Sequence, residues 1–318
     1  MTATLVLALT PFIVGLPAAG APQVCEGDDF YLAWEKPRDV TTALACYRAS
    51  NDWLMVAILQ LNGEGTPVDV AGARASLDRV EPKDGDFQTL DRIIKTHEAN
   101  PAAKYPRVDF CKDVAYTTMS GDRCLAREED ERRSKADAQL GKVGRGLPTG
   151  VRLAFDRARA AHGKFVGAEG MRTYYDYIEG AARNGMAMVQ EARVRRNFMT
   201  TIKRLIAGPA GKLAGRRSFA DADKELNVVY NENLSAYLKY NEAAAVDAEQ
   251  RKEPTFAAEH RQNISDYKEK ARAAQHEWVR YRDAMGELAA ARWPESRDAR
   301  EQARALVTED RIRELRGK

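Results

Sequence analysis

The apolar spacing across residues 219–292 admits helices and little else. Leu226 and Tyr230 stand four apart, and Leu234, Tyr237 and Leu238 continue the stripe. Beyond a polar loop carrying Pro254, Ala274, Trp278, Tyr281 and Arg282 share one helical face. Two long helices with aromatic stripes, joined this way, predict an antiparallel hairpin.

The same period governs the rest of the chain, and short β-branched alternating runs are nearly absent. The pattern predicts helices at 39–50, 52–62, 70–79, 86–98, 121–141, 149–181, 184–207, 219–247, 256–292 and 297–315. Breaks are expected at 99–109 (Pro101, Pro106), at 141–150 and at 207–217 (Gly208-Pro209, Gly211, Gly215). With 318 residues, 44% of them hydrophobic, there is length for a buried core and more than one domain. The expected class is all-α: an N-terminal helical hairpin packed on or linked to a bundle of long antiparallel helices. The Arg/Glu-rich tail 295–318 is expected to be a surface helix.

Residues 1–21 contain no Lys, Arg, Asp or Glu, and Leu5–Leu16 is apolar apart from Thr10, Pro11 and Gly15. Small residues follow at Ala18-Ala19-Gly20-Ala21. That is the pattern of a cleaved signal peptide. The rival reading, a retained anchor, meets a run shorter than the roughly 20 residues a span needs and broken by Pro11 and Pro17. The expectation is a periplasmic or secreted protein without a stable membrane anchor. Four cysteines in an exported chain suggest two disulfides. Three connectivities exist. Cys25–Cys46 and Cys111–Cys124 are favoured because each pair lies within one compact segment. Each would stabilise the fold by roughly 3 kcal/mol on the loop-entropy model.

Net charge is +3, and acidic and basic residues alternate, as in Arg127-Glu128-Glu129-Asp130-Glu131-Arg132-Arg133. Solvated helix faces read this way, whereas a nucleic-acid footprint needs a one-signed run. No CxxC, HExxH, GxSxG, Walker loop or GxGxxG occurs, so no metal or cofactor is expected. His97, His162, His260 and His276 are scattered and read as exposed helix residues. Tyr174-Tyr175-Asp176-Tyr177 reads as interhelical packing. Arg193, Arg195 and Arg196 beside Phe198 read as a solvated face, and Arg216-Arg217 as a solvated loop. A helical lytic transglycosylase would need a Glu in an apolar cleft. The only Glu-Ser dipeptide, Glu295-Ser296, has no surrounding pattern. The expectation is a binding protein rather than an enzyme.

Within 36–80, Ala43, Cys46, Tyr47 and Ala57 precede Leu61-Asn62-Gly63-Glu64-Gly65-Thr66-Pro67-Val68-Asp69 and Ala73. Gly63 stands where a left-handed C-cap belongs, and Asp69 where the next helix needs an N-cap. The GxG-x-x-x-D-x-x-x-A core (Gly63, Gly65, Asp69, Ala73) resembles the Sel-one-like helical repeat, a relative of the tetratricopeptide repeat. About one unit is covered, in an expected domain of 22–100. The resemblance implies protein–protein interaction. A plain helical hairpin with no binding role accounts for the same residues.

Ala222-Asp223-Lys224-Glu225-Leu226-Asn227-Val228-Val229-Tyr230 and Ala274-Gln275-His276-Glu277-Trp278-Val279-Arg280-Tyr281-Arg282-Asp283 are the sharpest motifs. In an antiparallel pair Asp223 and Arg282 approach and are expected to form a bidentate ion pair, with Gln275 and Asn227 bonded across the same interface. The paired AD-x-x-LN-x-x-Y and AQ-x-x-W-x-x-Y-R-D motifs resemble the lysozyme-inhibitor LprI family of small exported helical domains, over about 218–292. Phe110-Cys111-Lys112-Asp113-Val114, Thr117-Thr118-Met119 and Cys124 look like the opening of such a domain. Residues 107–140 thus begin a degenerate first copy, or 107–292 is one domain with 141–217 inserted. Where the family carries a late Cys after the YRD, this chain has Met285-Gly286. The resemblance implies an envelope protein whose partner is a lysozyme-type muramidase. The alternative is a periplasmic interaction scaffold without inhibitory activity.

Overall fold

A computed structural model describes residues 31, 38–176, 182–207 and 217–317. The expectations for residues 1–21, Cys25, Tyr177 and Arg216 lie outside the described residues. Every regular element among the described residues is a helix, and they contain no strand. They belong to two compact units, one of residues up to Glu81 with Ile94–Pro106, the other of Pro82–Ile93 with Arg107 onward.

The first unit contains α1 (Val40–Ala49), α2 (Trp53–Asn62), α3 (Val70–Leu77) and the end of α4 (Gly85–Ala99). Local caps set these boundaries. Asp39, Asp52 and Asp69 each accept a backbone N–H from the third residue on, as at Asp69, whose Oδ1 receives the Gly72 N–H at 2.8 Å. Gly63 closes α2 at φ 68°, and Gly65 follows at φ 71°. A Cβ on Gly65 would stand 2.8 Å from the Val40 carbonyl oxygen, so the turn lies directly against the start of α1. Ala43, Ala57 and Ala73 are fully buried where the helices meet, around Leu44, Tyr47, Met55, Ile58, Leu59 and Leu77. Arg74 pairs with Glu98 at 3.0 Å, and the His97 ring stacks on Tyr105 at 3.7 Å.

The second unit holds the start of α4, a π-helical turn (Phe110–Val114), α5 (Thr118–Arg145), α6 (Thr149–Asp176), α7 (Ala182–Ala207), α8 (Phe219–Gln250), α9 (Pro254–Arg292) and α10 (Ala299–Leu315). α9 packs on α8, as the hairpin pattern predicts, but more extensively on α6. The core draws Phe155 and Phe165 from α6, and Phe198 and Ile202 from α7. Leu226 comes from α8, Trp278, Tyr281 and Met285 from α9, and Val307 and Ile312 from α10. Helices α6 and α7 are therefore a main part of this core. The Trp293 indole N–H donates to the Leu205 carbonyl at 3.0 Å, and Arg292 Nε to that of Ile206 at 3.2 Å. These contacts satisfy the last turn of α7, which has no intrahelical donors left.

Three expectations need correction. The break at 141–150 shrinks to 146–148, because α5 runs to Arg145. Gly144, which suggested a loop, faces the Phe155 ring, where a Cβ would stand 3.0 Å from Cε1. The tail helix α10 is no surface helix: Ala299, Ala303, Ala305, Leu306, Val307, Thr308, Arg311 and Ile312 are buried. Its buried stripe includes Ala299, Ala303, Thr308 and Arg311, which give a weak hydrophobic signal. His97, His162 and His260 are also buried, and only His276 is exposed.

Candidate functional site

Cys111 and Cys124 are joined, as expected, across a sequence separation of 13. Cys46 is buried, and its expected partner Cys25 lies outside the described residues.

The two sharp motifs meet. Arg282 Nη1 donates to Asp223 Oδ1 at 2.7 Å, and Nε donates to the neighbouring Asp283 Oδ1 at 3.0 Å. The guanidinium lies 5.0 Å from the Phe219 ring centroid and 5.3 Å from that of Trp278, within cation–π range. Only one nitrogen reaches Asp223, so the pair is not bidentate. The other side of the fork is taken by Asp283, which Arg304 also approaches at 3.4 Å. Leu226, Trp278 and Tyr281 are core. Asn227 faces solvent, and Gln275 Oε1 is buried without a hydrogen bond, so the expected Gln275–Asn227 bond is not made. The Tyr230 hydroxyl is likewise buried and unbonded, and burial pushes its pKa up. The motif residues thus clamp the root of the α8–α9 hairpin.

A second polar cluster has no counterpart in the sequence reading. Glu169 of α6 is fully buried and receives a two-point bond from Arg311 of α10, Nη2 to Oε2 at 2.8 Å and Nη1 to Oε1 at 3.0 Å. Arg172 adds a bond at 2.8 Å and passes its Nη1 to the Tyr267 hydroxyl of α9 at 3.0 Å. Gln190 of α7 donates to Glu169 at 3.3 Å and to Glu314 at 2.6 Å. Burial alone would raise the Glu169 pKa, but the Arg172 and Arg311 charges outweigh it and hold the carboxylate near 2. Burial likewise works against the charge on Arg311, yet Glu169 and Glu314 raise its pKa. The cluster ties four helices together. Beside it a space of about 20 Å³ opens among Phe165, Phe198, Trp278, Tyr281 and Asp310, room for one water and too small for a ligand.

The third locus is the loop between the π-helical turn and α5. Asp86 is buried, and its Oδ1 accepts the backbone N–H groups of Tyr116 at 2.6 Å and Thr117 at 2.8 Å. Its Oδ2 accepts the Thr117 hydroxyl at 3.0 Å, and the Ser120 hydroxyl donates to Oδ1 at 3.1 Å. The Cys111–Cys124 bond spans the same loop. Tyr116 in this loop is 80% exposed and Met119, in the first turn of α5, 77%, the two highest values among the exposed large hydrophobic residues. The sequence signal was only Thr117-Thr118-Met119 between two cysteines.

The remaining candidates are ordinary. Arg195 pairs with Glu191 at 2.8 Å, and Arg217 pairs with Glu225. Tyr175 offers its carbonyl to the Tyr237 hydroxyl at 2.6 Å, a packing contact as expected. Glu295 is exposed, not set in an apolar cleft. Among the described residues no group of three His, Cys, Asp or Glu side chains could hold a metal ion, and no helix is long and apolar enough to cross a membrane. No known protein family, curated protein or solved structure matches the chain.

Proposed function

We propose that the protein is an exported helical binding protein of the bacterial envelope that acts by protein–protein contact on a lysozyme-type muramidase. The observation that carries this reading is the meeting of the two inhibitor-like motifs in one clamp, Arg282 between Asp223 and Asp283 with Trp278 and Tyr281 behind it. A second support is the Cys111–Cys124 bond, which is compatible with an oxidising compartment. The test is a turbidity assay in which oxidised protein, residues 22–318, is titrated into lysozyme at physiological salt. Dose-dependent inhibition at micromolar concentration or below supports the proposal. Folded protein at large excess that leaves lysis unchanged overturns it.

The α2–α3 pair favours a second reading, an interaction scaffold. Its Gly63 and Gly65 turn and its buried Ala57 and Ala73 are features of repeat hairpins that recruit other proteins. On that reading lysozyme is untouched and the first unit carries the binding.

A further inference from the structure

We propose that the outer face of the far half of α8 is a self-association surface, on which a second copy of this chain docks antiparallel about a two-fold axis at Ala243. This goes beyond the muramidase reading and does not depend on it.

Helical spacing builds the face. Ala236, Lys239, Ala243, Asp247 and Gln250 recur at intervals of three and four residues, and all are exposed. Tyr240 and Val246 flank them, 70% and 50% exposed. The opposite face is already packed: Asn241, Ala245 and Ala248 are buried, and Asn241 Oδ1 lies 3.2 Å from His260 Nδ1 of α9. The helix is therefore held before a partner arrives, and docking loses little chain entropy. An open groove of about 500 Å³ runs along the outer face, lined by Lys239, Glu242, Ala243, Val246, Asp247 and Gln250. Ala243 is the smallest of these, so the middle of the face is low and its ends stand higher. An alanine at the contact lets two helix axes approach to roughly 8 Å, the short end of the usual range.

Charge selects the occupant and its direction. A two-fold axis at Ala243 sets Ala243 against itself. It brings Lys239 and Tyr240 of one copy level with Asp247 and Val246 of the other, and does so twice. Each half of the contact then holds one lysine–aspartate pair beside an aromatic and an aliphatic side chain, with Ala236 level with Gln250. Parallel pairing in register would set Lys239 against Lys239 and Asp247 against Asp247. Sliding the antiparallel pair by one heptad also loses the match: one direction sets Glu232 against Asp247, and the other carries Lys239 past the end of α8. Asp247 already holds Arg251 of its own helix at 3.2 Å, both exposed, and a carboxylate has acceptor sites for a second cation. The matched stretch 236–250 is about 21 Å long. That is short of a permanent interface, so the dimer should be weak, with a Kd on the order of 10–100 μM.

The test is sedimentation equilibrium on the full oxidised protein from about 5 to about 500 μM, a range that brackets the expected Kd. K239D and D247K are measured alone, mixed and combined in one chain, each with a thermal melt to show folding. Both side chains are exposed, so the melts should coincide. Each single variant places like charges at both contacts and should raise the Kd at least about 10-fold. The double variant K239D/D247K restores opposite charges and should return to the wild-type Kd. An equimolar mixture of the two single variants should associate although neither does so alone. A243R, which fills the low middle of the face, should abolish association. A wild type that stays monomeric throughout overturns the proposal. So does a dimer that tolerates both single reversals, since it lies on another surface, or a double variant that folds but fails to recover association.

Discussion

Arg311 grips Glu169 across 142 residues of sequence, both groups sealed from solvent, with two parallel N–H···O bonds of 2.8 and 3.0 Å. A buried pair of this kind is expensive to break and cheap to replace whole. Changing Glu169 alone to Leu leaves Arg311 and Arg172 short of a charge in the core, and should cost about 3–5 kcal/mol. R311M should cost a similar amount. The double variant E169L/R311M should cost far less than the sum. Urea unfolding of the four proteins gives the coupling directly, and additive losses would refute the account.

His162 supplies a pH prediction. It is buried against Phe198, ring centroids 4.0 Å apart, and burial lowers its pKa from 6.5 to about 3. Below pH 6.5 the unfolded chain takes up a proton that the fold refuses, so stability falls as pH falls, by about 1.4 kcal/mol per pH unit for one such group. Glu169 acts in the same direction only below 4.5. Asp176 and Asp310, raised by burial, act in the opposite sense. The readout is therefore the difference in slope between wild type and H162F from pH 6.5 to 5. His97, also lowered by burial, is present in both proteins and cancels. Equal slopes would mean that His162 does not resist protonation in the fold.

Arg282 should matter more than either of its carboxylates. Its side chain is 12% exposed, against 39% for Asp223 and 42% for Asp283, so each ion pair is screened on its acidic side. The guanidinium also packs on Phe219 and Trp278. R282A should destabilise by about 2 kcal/mol and D223A by less than about 1 kcal/mol. R282K should recover less than half of the loss, since a lysine cannot reach both carboxylates while stacking on the rings. Chemical denaturation of the three variants tests the order, and a D223A loss equal to that of R282A would contradict it.

Two glycines should respond with opposite signs. Gly65 has a positive φ and a carbonyl 2.8 Å from where a Cβ would sit, so G65A should cost about 2 kcal/mol. Gly163, inside α6 with nothing near its Cβ position, is a weak point in a helix, and G163A should stabilise by about 0.5–1 kcal/mol. Calorimetry on each variant checks the signs.

What could be read from the chain was local or periodic. Gly63 and Asp69 announce their caps because a cap depends on residues within one turn. The approach of Asp223 to Arg282 follows from the register of two adjacent antiparallel helices. Glu169 and Arg311 look like any other charged helix residues in a sequence with alternating charges, and only tertiary packing distinguishes them. The burial of His97, His162 and His260 is hidden for the same reason, since spacing carries no information about burial when the neighbouring face belongs to a distant helix. The Tyr116 loop was faint because its organising residue, Asp86, lies thirty positions upstream of the backbone it holds.

The Glu169–Arg311 pair also orders events in time. A ribosome delivers Glu169 long before Arg311, and until then the carboxylate has nothing but Arg172 and Gln190 to justify leaving water. Arg172 alone offsets the Glu169 charge before α10 is present, and the two-point bond from Arg311 comes only with that last helix. A chain cut before Arg311 should therefore be more open to proteases along its second unit than one that carries α10.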